Sequence, residues 1–272
     1  MPVRIMGIIN VSSESFYKNS IKTNIQEISK TASQMQDSGA DIIDIGAMST
    51  APYLETIIPF EEEIRRLKPA IEAIRSSCSL PISIDTPRST VAKETIKYGI
   101  DAINDVTGLK HDKNMGNLIS KSQLPVIIGA FGGNQLSTLG KVPGTIETLR
   151  QSLAIANKSK INGNNIIIDP SIGFFRYEGK NPFYTQIRDI PWYIRDIEII
   201  SNLDKLKIFS KPICISVSRK SFIGNLFNLK VEDRLIPSLV SELVAVLNGA
   251  NVIRTHNVRE TVQALIMLEL LH

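Results

Sequence analysis

The segment Gly163-Asn164-Asn165-Ile166-Ile167-Ile168-Asp169 decides the fold. Three consecutive isoleucines without polar alternation describe a strand covered on both faces, the habit of parallel sheets flanked by helices. A glycine precedes the run and an aspartate ends it. The same order recurs along the chain. Short β-branched runs lie at 3–9, 41–46, 81–85, 102–105, 125–130, 165–169, 212–217 and 251–254. Stretches with helical spacing separate them. Ile25, Ile28, Ala32 and Met35 share one face of a helix predicted over 25–35, and Ile64, Leu67, Ile71 and Ile74 one face of another over 60–74. Gly39, Gly99, Gly163 and Gly249 stand where helices should close in a left-handed turn. Eight such units in 272 residues predict an α/β fold, a single parallel (β/α)8 barrel occupying 1–272 as one domain.

Composition narrows the function. Hydrophobic residues make up 43% of the chain, enough to cover both faces of a buried sheet. The net charge of +4 is scattered, with no basic stripe interleaved with aromatics, which argues against nucleic acid. A mild positive balance suits acidic small molecules. The start of the chain runs straight into an apolar strand and no apolar stretch reaches the length of a membrane span, so a cytoplasmic protein without a membrane partner is expected. Cys78 and Cys214 lack any CxxC spacing and read as buried free thiols in a reducing compartment.

The polar residues sit where the strands stop. Asn10, Asp44, Asp85, Asn104-Asp105, Asp169, Ser218-Arg219-Lys220 and Arg254-Thr255-His256 end seven of the eight. The fifth runs instead into Gly129-Ala130-Phe131-Gly132-Gly133. In a barrel these ends converge on one face, which carries the active site. Any one of them has a plain structural explanation; Asp85-Thr86-Pro87, for instance, reads as a helix cap. Caps need not coincide with seven strand ends, so the joint pattern favours a site. Buried Asp85, Asn104 and Asp169 suit a flat heterocycle with adjacent N–H donors. Arg254 and His256, with Lys220 nearby, make a cationic rim suited to phosphate groups. Asn10 offers an oxygen ligand to Mg²⁺. The connections 11–21 and 47–58 are long and serve as candidate lids.

At these residues the sequence resembles the dihydropteroate synthases, within the wider family of pterin-binding barrels. The matching segments are Met6–Phe16, Gly39–Gly46 with Ser49-Thr50, Ile82–Thr86, Ile103–Leu109, Ile168–Phe174, Ser218–Gly224 and Arg254–Val258, in the family's order. The resemblance implies a transferase that condenses 6-hydroxymethyl-7,8-dihydropterin diphosphate with p-aminobenzoate or a modified aryl-amine and releases pyrophosphate. It implies that Asp85, Asn104, Asp169 and Lys220 hold the pterin, with Lys220, Asp85 and Asp169 carrying the chemistry. Asn10, Arg254 and His256 would bind the pyrophosphate, with Mg²⁺ on Asn10. Phe16, Thr50, Pro52 and Ser218 would frame the aryl-amine, and Asp44 would sit at the mouth without a separable role. A homodimer is implied, with 194–203 and 235–247 as candidate faces.

Three segments depart from the family pattern: Ser12–Phe16 lacks a proline, Ala51 stands where the family usually has an arginine, and the fifth strand, ending in Gly129–Gly133, lacks the family's Met-His-Met segment. Divergent archaeal members are similar in these respects. Two other functions fit a pterin barrel: a corrinoid-linked methyltetrahydropterin methyltransferase, and a pterin-binding protein without catalysis. The pattern Ser218-Arg219-Lys220 with Arg254 and His256 speaks for a pyrophosphate seat and against both.

Overall fold

The computed structural model describes residues 3–12, 24–133 and 141–271. Eight parallel strands form the sheet: β1 (Arg4–Asn10), β2 (Ile42–Gly46), β3 (Ile82–Asp85), β4 (Ala102–Asp105), β5 (Val126–Gly129), β6 (Ile166–Asp169), β9 (Cys214–Ile215) and β10 (Val252–Thr255). Their spatial order is β6-β5-β4-β3-β2-β1-β10-β9. A parallel bridge between Ile168 and Ile213 joins the two ends, so the sheet closes into a barrel. Helices α1 (Ile25–Asp37), α2 (Phe60–Ser77), α3 (Ser89–Ile96), α4 (Met115–Ser122), α5 (Val142–Lys158), α6 (Trp192–Ser201), α7 (Ser221–Phe227), α8 (Leu235–Leu247) and α9 (Val258–Leu271) fill the connections. The expected (β/α)8 barrel is what forms. One feature was not anticipated: β7 (Phe175–Arg176) and β8 (Thr185–Gln186) pair as a small parallel ribbon between β6 and α6.

Register sorts the side chains. Ile8, Asp44, Ser83 and Ala102 stand abreast on β1 to β4, and Asp85, Asn104, Ile127 and Ile167 on β3 to β6. Successive residues of a strand point to opposite faces. The interior row therefore excludes Ile43, Ile45, Ile84 and Ile103, which join the large cluster beneath the helices. Met6, Ile127, Cys214 and Val252 make a separate small cluster that plugs the barrel's lower interior. Gly7 lets α1 close on β1, since a Cβ there would lie 2.6 Å from Met35 Sδ. Both cysteines are buried and free, as expected.

The predicted helices 25–35 and 60–74 match α1 and α2, except that Ile25 is exposed at the first turn. Gly39, Gly99 and Gly249 have positive φ and close their helices. Gly163 does not; Lys160, with φ of 61°, takes the left-handed position after α5. Among the described residues no helix is long and apolar enough to cross a membrane.

Candidate active site

The C-terminal ends of the strands surround a cleft, the place where barrels of this kind carry their sites. Asn10, Thr50, Pro52, Asp85, Lys220, Arg254 and His256 line it. Asp44, Asn104, Asp169 and Ser218 stand just behind this wall. Phe16 lies outside the described residues.

Arg254 organises the floor. Its Nε donates to Asp44 Oδ2 and its Nη2 to Asp85 Oδ2, each at 2.6 Å. Asn104 Nδ2 donates to the same Asp44 oxygen at 3.2 Å. Asp44 thus has the definite task of seating Arg254 and Asn104. The second oxygens, Asp44 Oδ1 and Asp85 Oδ1, are buried without a partner among the described residues. Such acceptors are costly unless a donor arrives. Burial raises the Asp85 pKa to about 7 against the pull of Arg254, with Asp44 and Glu63 adding to the rise. Burial opposes the charge on Arg254, but Asp44 and Asp85 outweigh it and leave its pKa raised.

Asp85 is not a helix cap, as Asp85-Thr86-Pro87 suggested. Arg88 is the N-cap residue of α3, and Asp112 Oδ2 accepts from Ser89 N at 2.7 Å. Glu63, fully buried on α2, holds the turn below Asp85 by accepting from Thr86 Oγ1 at 2.7 Å and from Arg88 Nη1 at 3.0 Å. Helical periodicity places Glu63 among the acidic residues of the first turn of α2, so nothing in the pattern marked it.

Lys220 closes one side. Its Nζ donates to Ile172 O at 2.5 Å and lies 4.8 Å from the centre of the Phe174 ring. Burial lowers its pKa to about 8, with Asp169 opposing the drop. Burial raises the Asp169 pKa, opposed by Lys220 and by the Ser171 N–H, 2.6 Å from Asp169 Oδ1. The segment that carries these contacts is held from beneath. Arg195, wholly buried, donates to the carbonyls of Pro170 and Ser171, and its neighbour Asp196 accepts from Gly173 N. Arg195 and Asp196 also escaped the sequence reading, because they sit in mid-helix rather than at a strand end.

The rim is less cationic than the sequence suggested. His256 Nδ1 and backbone N both lie within hydrogen-bond reach of Ser218 Oγ, at 3.1 and 3.2 Å. Desolvation, with Arg254, Arg219 and Lys220 close by, lowers the His256 pKa to about 3, so the ring is neutral at pH 7. Arg219 turns away from the cleft, donating to Asn257 Oδ1 and to the carbonyls of Val231 and Glu232.

The opposite wall is the connection between β2 and α2, which bears Thr50, Ala51, Pro52 and Tyr53. Lys180 N donates to Pro52 O, and Asn181 Nδ2 to Ala51 O, both at 2.7 Å. The β7–β8 insertion therefore fastens the second candidate lid. Most of the first, its residues 13–21, is outside the described residues. Asn10 lies at the mouth beside Gly46. No three His, Cys, Asp or Glu residues among those described cluster as a metal cage. One carboxamide oxygen fits Mg²⁺ only where a ligand's phosphates and water supply the rest, which is that ion's usual habit.

Buried charges of both signs, gathered at the one end of the barrel where ligands bind, define the class: a (β/α)8-barrel enzyme with a polar small-molecule cleft. Comparison with known proteins makes it specific. The pterin binding enzyme family matches residues 6–256. The dihydropteroate synthase of Clostridium beijerinckii is 33% identical over 98% of this chain and 93% of its own. A Clostridium difficile dihydropteroate synthase, solved in the presence of pteroic acid, superposes with a TM-score of 0.85 at 30% identity, covering 100% of this chain and 97% of that one. The Xanthomonas albilineans enzyme in complex with 7,8-dihydropteroate gives 0.80 at 25% identity, over 99% and 94%. The chain belongs to the dihydropteroate synthase family of pterin-binding enzymes. The Bacillus subtilis enzyme matches likewise, at 30% identity over 97% of this chain and 87% of its own.

Proposed function

We propose that this chain condenses 6-hydroxymethyl-7,8-dihydropterin diphosphate with p-aminobenzoate or a modified aryl-amine, releasing pyrophosphate. The observation that carries the reading is the buried Asp85 Oδ1, without a partner among the described residues, in one cleft with Lys220 and abreast of Asn104 on the next strand, with Asp44 Oδ1 in the same state just behind. A flat heterocycle with a guanidine-like edge supplies the N–H donors that such oxygens lack. In this reading Asp85, Asn104 and Asp169 hold the pterin ring, and Lys220 lies against it.

Arg254, His256 and Asn10 receive the diphosphate. His256, kept neutral, contributes a hydrogen bond rather than a charge. When bound on Asn10, Mg²⁺ offsets charge on the departing group. The carbon–oxygen bond to the diphosphate breaks, and Asp85 and Asp169 stabilise the positive charge left on the pterin methyl carbon. The aryl-amine nitrogen forms the new bond and gives up its proton to water or to the departing pyrophosphate. Asp85, with its pKa near 7, exchanges a proton with the ring during this change. Thr50, Pro52 and Ser218, with Phe16, frame the amine, which needs positioning more than a strong base. The pyrophosphate seat favours this reaction over methyl transfer to a corrinoid and over binding alone.

We further propose a homodimer. Of the two candidate faces, 194–203 buries Ile199, Ile200 and Leu203 in its own barrel, whereas α8 exposes Ile236, Val240 and Leu247, and α9 exposes Ile266, Met267 and Leu270. Large exposed apolar patches mark interaction sites, and a second copy is the partner assigned here. A cytoplasmic setting and a single functional domain complete the reading.

Incubation with the dihydropterin diphosphate, Mg²⁺ and either p-aminobenzoate or its ribosyl-phosphate derivative should release pyrophosphate in step with product. No release with either amine would refute the proposal.

A further inference from the structure

The helix α8 is built inside out. Its buried residues are Ser238, Glu242 and Ala245, while Ile236, 74% exposed, and Val240 face outward. An ordinary barrel helix buries the isoleucine and leaves the glutamate in water. Here Glu242 is 1% exposed, and its Oε1 has no partner among the described residues. Packing alone gives no reason for an acid at this position, since an apolar residue of similar volume would leave nothing unsatisfied.

The other oxygen leads to the cleft. Glu242 Oε2 accepts from Thr261 Oγ1 at 2.8 Å, and Thr261 Oγ1 lies 3.1 Å from Thr255 Oγ1. Thr255 Oγ1 in turn accepts from Asn257 N at 3.1 Å. Each hydroxyl has one proton. Thr261 divides its one proton between Glu242 and Thr255, and Thr255 hydrogen-bonds Glu242 as well, so the carboxyl and the two hydroxyls form one closed polar set. The relay therefore links the carboxyl of Glu242 to the backbone amide of Asn257 through Thr261 and Thr255. It ends on the turn that carries Arg254 and His256. One helical turn earlier, Ser238 Oγ accepts from Arg219 N at 2.8 Å, and Arg219 Nε donates to Asn257 Oδ1. The polar inner face of α8 thus grips both strand ends, the one before Lys220 and the one bearing Arg254.

We propose that Glu242 is a positioning residue that, through Thr261 and Thr255, fixes the end of β10 so that Arg254 and His256 meet the diphosphate. This rests on the pyrophosphate seat proposed above. Arg254 enters the cleft from the inner face of β10, and Thr255, the next residue, is gripped from the outer face. Removing the grip loosens the anion end first, because the pterin residues Asp85, Asn104 and Asp169 are carried by other strands, β3, β4 and β6.

The test uses the full chain with Glu242→Leu, Glu242→Gln and Thr255→Val, the last keeping shape while cutting the relay elsewhere. Pyrophosphate and a bare pterin are titrated calorimetrically, and KM and kcat are measured for the diphosphate substrate. Glu242→Leu and Thr255→Val should each raise the pyrophosphate Kd and the substrate KM about fivefold or more, with kcat and pterin Kd within twofold. Glu242→Gln, which keeps the acceptor, should restore wild-type values. Wild-type pyrophosphate affinity in both Glu242→Leu and Thr255→Val overturns the proposal, as does an equal loss for pterin and pyrophosphate. A wild-type protein that binds no pyrophosphate overturns this role and the anion seat together. One that binds both ligands but releases no pyrophosphate with an amine sinks only the reaction, and the Glu242 result stands on its own.

Discussion

Ile84 and Asp85 are neighbours on one strand and belong to different molecules, in effect. Ile84 points outward into the apolar layer beneath the helices, wholly buried among isoleucines. Asp85 points inward, to an arginine and a cleft. The outer face of the barrel is a fold and the inner, upper face is a site. Parity along each strand keeps the two apart, so one can change without the other. Stability should follow the outer residues and activity the inner ones.

The largest effect should come from the outer face. Truncating Ile84 to alanine should cost about 3–4 kcal/mol of stability and leave the KM of the folded fraction unchanged, as denaturant titration and kinetics on the same sample will show. A matching loss of affinity would break the division. Glu242 is the polar exception among the helix-facing residues, and it sharpens the comparison through pH. Burial raises its pKa from 4.5 to about 7, with only threonine hydroxyls opposing. An acid raised by folding ionises more easily in the unfolded chain. Its favourable contribution is therefore whole below about pH 4.5 and lost by about pH 7. Relative to Glu242→Gln, the wild type should lose up to about 3 kcal/mol across that window. Parallel stability curves for the two proteins would show that the carboxyl is not held neutral.

On the inner face, Asp169→Asn should lower kcat/KM about 10²-fold, or about 2.7 kcal/mol, without lowering Tm. A melting point that falls with activity would make Asp169 part of the fold. Lys220→Ala should weaken pterin binding about tenfold and Arg254→Ala pyrophosphate binding by the same factor, about 1.4 kcal/mol each. Arg254→Ala should leave a bare pterin nearly unaffected, and equal losses for both ligands would merge the two subsites. The smallest effect belongs to the exposed face of α8. Ile236→Ser should change monomer stability by less than about 0.5 kcal/mol while shifting sedimentation toward the monomer; an unchanged sedimentation profile would take α8 out of the interface.

Much of this was legible in the chain. Runs such as Ile166-Ile167-Ile168 are local statements about burial, and glycines such as Gly39 and Gly249 are local statements about backbone conformation. The strand-end residues Asn10, Asp85, Lys220, Arg254 and His256 reached one cleft for the same reason: a barrel must bring those ends together. Glu63, Arg195 and Glu242 were not legible. They sit inside helices, where a charged residue usually reads as a solvated face, and only their burial shows otherwise. The rim charge was misjudged for a related reason. The ionisation of His256 depends on desolvation and on Arg254, Arg219 and Lys220, and no single motif contains that sum.

By itself the amino-acid order determined the units, their number and the polar residues at their ends, because hydrophobic runs and turn residues act over a few positions. Only the tertiary structure decided the pairing of Arg254 with Asp44 and Asp85, the fastening of the β2–α2 wall by Lys180 and Asn181, and the inversion of α8. Those depend on which distant side chains share a low-dielectric space, and closing the barrel is what creates that space.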